Sequence, residues 1–149
     1  MRENGHSGFR SKILEILRPR VGAFAVENVV DAGPPDVCCT LGWIELKVAS
    51  TPARSTTRVN FGMRPSQRVW HIRWREFGGR SWTLCRLEDT NDDLPCIVMM
   101  HDGHWSAAHM DTAIASELQR SAIGWWIDQP SDEELISAMM RPLPKIMRG

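Results

Sequence analysis

Asp36, Glu45 and Lys47 fall close together in the stretch GPPDVCCTLGWIELKV, Gly33 to Val48, which otherwise reads as two apolar β-strands. Charged side chains are rarely buried without a partner or a task. Strand side chains alternate between faces, so Glu45 and Lys47 share one face while Ile44, Leu46 and Val48 make a continuously apolar one. If Leu41-Gly42 is a tight turn between antiparallel neighbours, Cys38 lies opposite Glu45 and Asp36 opposite Lys47. All three charges then meet on one patch. A similar pairing across the DAGP turn brings Glu27 diagonally beside Asp36, in a register that a slip of one residue would reverse. Two or three carboxylates beside a lysine form a hard-oxygen site that suits Mg²⁺ (or Mn²⁺), with waters and phosphate oxygens completing its shell. The lysine can orient or help activate a water and offset charge on a phosphate. That chemistry is metal-assisted hydrolysis of a phosphodiester. A salt-bridged cluster at a strand end is the competing reading of the same spacing.

The elements that must hold these residues follow from periodicity. FRSKILEILR carries Phe9, Ile13, Ile16 and Leu17 at helical spacing, and Pro19 is expected to stop it. AFAVENVV, PDVCCT and WIELKV read as three successive strands. A loop from Ala49 to Gly62 follows. RPSQRVWHIRWREF is the second helix, with Pro65 in its first turn, Ser66 or the residue before Pro65 as cap, and Gly78-Gly79 at its end. A helical wheel puts Gln67, Trp70, Trp74 and Phe77 on one arc, which is expected to face the sheet, with Arg68, His71 and Arg75 exposed beside it. On that reading Trp70 and Trp74 are core rather than platforms for stacking bases. SWTLCRL is a fourth strand, and CIVMMHDGHWSA reads as a hairpin around Asp102-Gly103. Helices near Asp111–Ser121 and Ser131–Met140 close the chain. The order is α-β-β-β-α-β with a hairpin and helical tail: one α/β domain over residues 1–149, its core about 9–100 and its extension about 96–149.

The net charge of zero conceals two opposite halves. Residues 1–87 hold 14 Lys and Arg against 7 Asp and Glu; residues 88–149 hold 4 against 11. The basic excess is densest from Val48 to Arg86, so a polyanion can be bound by a neutral protein. Arg54, Arg58, Arg64 and Arg68, in the loop and helix start after the charged strand, are the candidate phosphate contacts; a solvated basic face is the plainer alternative. No apolar run approaches the length of a membrane span, and MRENGHSGFR lacks the apolar stretch of a secretory signal. Cys38, Cys39, Cys85 and Cys96 show no metal-binding spacing and read as reduced thiols, so a cytoplasmic protein is expected. His101, His104 and His109 make a weak metal candidate, since the first two flank the expected turn.

Taken together, Pro35-Asp36, Glu45-Leu46-Lys47, Gln67 on the following helix, and the element order resemble the PD-(D/E)XK nuclease superfamily. The wider pattern ENVVDAGPPDV, GWIELK and RPSQRVW is similar to small phage and prophage endonucleases near the VRR-NUC and Holliday junction resolvase branches. The resemblance covers about Val21 to Leu87. It implies a restriction-endonuclease-like core with a central mixed sheet. It implies metal binding by Asp36, Glu45 and the Leu46 carbonyl, catalysis by Lys47, and a Gln67 that approaches the site. Glu27 is the better candidate for a further acid, ahead of Glu15, which the wheel turns away from the apolar face, and of Glu3. The implied function is a Mg²⁺-dependent DNA endonuclease acting on branched DNA, working in the host cytoplasm if phage-encoded. A general nicking nuclease and a catalytically inactive nuclease fold that binds nucleic acid are the alternatives. A homodimer, paired through the apolar segment with Ile123, Trp125, Trp126 and Ile127, would supply the two incisions that a junction needs.

Overall fold

The computed structural model describes residues 5–27 and 33–147. Its elements are α1 (Gly5–Val21), β1 (Phe24–Ala25), β2 (Val37–Cys39), β3 (Gly42–Ser50), α2 (Pro65–Glu76), β4 (Ser81–Glu88), β5 (Ile97–Asp102), α3 (Gly103–His109), α4 (Ala115–Ser121), β6 (Gly124–Ile127) and α5 (Asp132–Met140). The expected order α-β-β-β-α-β is thus observed through β4. All six strands form one mixed sheet in sequence order, and β3–β4 is its parallel pair, bridged by α2. The chain is α/β.

One sheet face is apolar, as the alternation of Ile44 and Leu46 requires. These residues, with Trp82, Leu84, Val98 and Met100, bury against Phe9, Ile13 and Leu17 of α1 and Leu135 and Met139 of α5. The other face is divided. Cys85, Leu87 and Met99 pack with Val59, Phe61, Met63, Met110 and Leu118. Beside that cluster, the buried side chains are polar: Glu45, Gln67, His71, Arg75, Ser81, Thr83, His101 and Ser106. The charged patch lies at the edge of this polar layer. Among the described residues, no helix is long and apolar enough to cross a membrane.

Several elements depart from expectation. Pro19 lies inside α1, which runs two residues further. A proline costs the helix only one donor in its last turn, and Gly22, at φ +63°, ends it by donating to the Arg18 carbonyl at 3.2 Å. The first strand is short, Phe24–Ala25, and the last three residues of AFAVENVV lie outside the described residues. Asp102-Gly103 makes no hairpin. The Asp102 carboxylate accepts the His104 N–H, so the pair opens helix α3 instead of a turn. His101 and His104 therefore flank a strand-to-helix junction. The helix expected from Asp111 begins at Ala115, after a 3₁₀ turn at Met110–Thr112. Trp125 and Trp126 belong to edge strand β6, with Trp126 against the core and Trp125 outward.

The largest correction concerns α2. Its buried residues are Gln67, His71 and Arg75, whereas Trp74 and Phe77 are 38% and 72% exposed. The wheel assumes that the helix covers an apolar surface. Here it covers a polar one, and each inward side chain has a partner: Gln67 the Lys47 ammonium, His71 the Ser81 hydroxyl at 2.8 Å, and Arg75 the Asp102 carboxylate at 2.7 Å. The tryptophans form a flank instead. Trp70 stacks on Trp74 with centroids 5.3 Å apart, and Trp43 meets both edge-on.

Candidate active site

Strand register assembles the first part of the site. Val37 pairs with Ile44 and Cys38 with Trp43, so the next position, Asp36, comes opposite Glu45 rather than Lys47. The difference from the expected register is two residues. An even slip preserves the face, so the three charges still converge. The Asp36 carboxylate accepts the Leu46 N–H at 2.8 Å, which locks the carboxylate at the strand end. Lys47 donates to Gln67 Oε1 at 2.9 Å and to the Gly62 carbonyl at 3.3 Å. Gly62 holds φ +68°, a conformation that favours glycine. Its loop is fastened by buried Val59, Phe61 and Met63 and by a bridge between Arg58 and Ile114.

Gln67 has two duties through one atom. Its Oε1 also accepts the Arg64 N–H at 2.9 Å, which caps α2 where Pro65 starts it. Helix entry and lysine position therefore depend on the same amide.

His6 enters from the first turn of α1, a turn that the apolar periodicity alone leaves outside the helix. Its Nε2–H donates to the Leu46 carbonyl at 2.9 Å and lies 3.5 Å from the Asp36 carboxylate. A helix begun one turn before Phe9 places His6 on the Phe9–Ile13 stripe, which is the signal that could have found it. These residues line an open cleft of about 520 Å³ with Arg64 at its rim. A larger groove of about 740 Å³ lies under the C-terminal segment around Arg75 and Leu143 and gathers no comparable set of carboxylates and lysine.

Electrostatics divide the two carboxyls. Glu45 is 1% exposed, and neither of its oxygens has a hydrogen-bond partner. Burial, followed by the Asp36 charge, pushes its carboxyl up to about 9. Burial acts on Asp36 too, but hydrogen bonding, chiefly from His6 with the Leu46 N–H beside it, outweighs it and holds Asp36 below the ordinary value. The Asp36 hydrogen bond, against a smaller desolvation effect, raises His6. Burial lowers Lys47 despite Glu45, whose carboxylate is 3.9 Å away, and Asp36. The pair of acids thus keeps a proton on Glu45, and Lys47 gives up its own proton more readily than a surface lysine.

The other sequence candidates fall elsewhere. Val26, not Glu27, continues the pairing with Asp36, and Glu27 is exposed. Glu15 is exposed on α1, and Glu3 lies outside the described residues. Arg54 and Arg58 are exposed in the loop, outside the cleft lining. Arg68 is paired with Asp111, so one member of the acidic half neutralises part of the basic patch. His101 is buried, stacks on Trp105 and bonds to the Leu118 carbonyl; burial lowers its pKa to about 4. The four cysteines are free thiols.

Among the described residues, no group of three or more His, Cys, Asp and Glu side chains is arranged to hold a metal. Two carboxylates, a backbone carbonyl and outer oxygens are nevertheless a normal Mg²⁺ set, because that ion keeps several waters or phosphate oxygens. The unpartnered, buried Glu45 oxygens fit such an ion, whose charge would replace the proton. No protein-family model, curated protein or solved structure matches the chain.

Proposed function

We propose that the protein is a metal-dependent DNA endonuclease of the PD-(D/E)XK type, acting on branched DNA. The observation that carries the reading is the gathering of Asp36 at a strand end, Lys47 on β3 and Gln67 on α2 along one cleft, with buried Glu45 3.9 Å from the Lys47 ammonium. Asp36, Glu45 and the Leu46 carbonyl would hold Mg²⁺ or Mn²⁺. When bound, the ion would stabilise charge on the phosphate and ease ionisation of a water. Lys47 then positions that water: two of its N–H bonds go to Gln67 and Gly62, which leaves one for the water or a phosphate oxygen. Burial lowers its affinity for a proton, which favours a part in proton transfer over that of a surface lysine. Arg64 at the rim can hold a neighbouring phosphate.

A homodimer would supply two sites for two incisions. The exposed Trp125 and Ile127 of edge strand β6 support pairing there. The deciding experiment incubates supercoiled plasmid, four-way junctions and linear duplex with the protein in Mg²⁺ or EDTA. Nicking in Mg²⁺ alone, with preference for the junction, is expected. Equal cutting of all substrates would leave a general nicking nuclease. DNA binding with no cutting in Mg²⁺ or Mn²⁺ would leave an inactive binding module.

A second prediction concerns the loop. Arg54→Ala with Arg58→Ala should make the log–log dependence of duplex binding on salt shallower by roughly 1.8, about 0.9 for each phosphate that is no longer neutralised. An unchanged slope would show that the loop covers the surface and touches no phosphate.

A further inference from the structure

We propose that the outer flank of α2 is a stacking wall for unpaired nucleobases of the strand entering the cleft. The inference rests on the nuclease reading only for the path of that strand. A groove of about 560 Å³ runs along this flank, lined by Pro65, Val69, Trp70, Arg73, Trp74 and Phe77. Val69, Trp74 and Phe77 are 47%, 38% and 72% exposed, so this flank presents apolar surface to solvent. Apolar side chains gathered on one exposed face mark a binding surface more often than scattered ones do.

Two features select nucleic acid as the occupant. The first is position. Pro65 lines this groove, while Arg64 and Gln67, its neighbours in the same helical turn, line the catalytic cleft. Trp70 is one turn beyond Gln67, about 4.5 Å along the axis. The wall and the cleft thus adjoin along the first turns of α2. The second is chemistry. Trp70 and Trp74 are held by contact with each other and with Trp43, so a stacking base meets preset rings. Arg73 lines the same groove and supplies positive charge, and Arg64 continues it to the cleft. Aromatic rings interleaved with arginine bind single strands with little regard to sequence, since every base has a π face. Fully paired duplex hides those faces. The wall would thus favour frayed, flapped or junction DNA, in which bases near the cut are unpaired.

The test needs no cleavage and is run in EDTA. Fluorescence anisotropy measures binding of a labelled single strand, of the same strand with abasic sites at its centre, and of a paired duplex. Wild type is expected to lose about tenfold in affinity when the bases are removed, at constant phosphate count. The variant Trp74→Leu with Phe77→Ala is expected to bind the intact strand about tenfold more weakly, to ignore base removal, and to hold duplex as wild type does. Trp74 donates to the Arg80 carbonyl, so if that variant fails to fold, Phe77→Ala alone carries the comparison. Equal wild-type binding of intact and abasic strands overturns the proposal, and so does a folded variant that still discriminates. Light scattering that shows a dimer broken by Phe77→Ala also overturns it, in favour of self-association. Base discrimination by a protein that never cuts in Mg²⁺ would keep this inference and refute the nuclease; cutting without discrimination would do the reverse.

Discussion

Replacing Glu45 with glutamine is expected to abolish cleavage and to make the metal-free protein more stable. The two effects share one cause. Glu45 is buried beside the Asp36 charge, so ionising it is costly until a cation arrives. Glutamine keeps the shape, removes the charge and binds a divalent ion poorly, so the rate should fall by about 10³-fold or more. The stability gain has a defined pH dependence. The folded carboxyl titrates at about 9, against 4.5 for an unperturbed one. Between those values the unfolded chain has lost this proton and the folded protein retains it. Stability from this group is therefore complete below the lower value and declines as pH rises to the upper one, by at most about 1.4 kcal/mol per pH unit. Glu45→Gln lacks that slope, so its advantage over wild type grows from pH 5 to pH 9. Mg²⁺ should narrow the gap by stabilising wild type alone. Chemical denaturation at several pH values, with and without Mg²⁺, measures all of this. Wild-type cleavage by the variant would remove Glu45 from the site, and a pH-independent gap would contradict the buried carboxyl. Asp36→Ala should likewise stop cleavage.

The second large effect is structural. Asp102→Ala should destabilise the fold by about 3–5 kcal/mol, the usual cost of leaving one member of a buried ion pair alone. Arg75 is 4% exposed and donates twice to Asp102, at 2.7 and 3.3 Å. It also reaches the Gly79 and Pro144 carbonyls, so one guanidinium joins α2, β5 and the C-terminal segment. The substitution removes the α3 cap as well, since Asp102 accepts the His104 N–H. Asp102→Asn keeps that acceptor and should cost less. For a chain of this size the loss lowers Tm by roughly 10 °C. Scanning calorimetry checks it; a shift within error would mean that water replaces the carboxylate at no cost.

Much of the site is legible in the sequence because strand alternation is strict. Glu45 and Lys47 have to share a face, and a register wrong by two still places Asp36 on that face. Gln67 is turned inward correctly but for a mistaken reason. The wheel ranks residues by hydropathy and takes Trp70, Trp74 and Phe77 as the inner arc, but the sheet beneath α2 is polar, and His71 and Arg75 accompany Gln67 inward. A local pattern cannot reveal what an opposing surface contains. The Asp-Gly pair misleads for a similar reason: whether it turns a hairpin or caps a helix depends on the residues after it, and GHWSAAH is helical. His6 escapes notice when the helix is begun a turn late. The Arg68–Asp111 and Arg75–Asp102 pairs span the two oppositely charged halves, and no sequence window joins residues so far apart.

The single oxygen of Gln67 that serves both Lys47 and the start of α2 has a consequence for how such a protein decays. Consider a copy of the proposed nuclease no longer required to cut. Glu45 is then pure cost, and drift that removes it is rewarded with a firmer fold. Gln67 stays useful, because the helix still needs its entry closed. The two halves of the chemistry would erode in a set order, carboxylate first and amide last. A descendant of the proposed nuclease that had become a simple binding module would still display Gln67, kept for its part in folding.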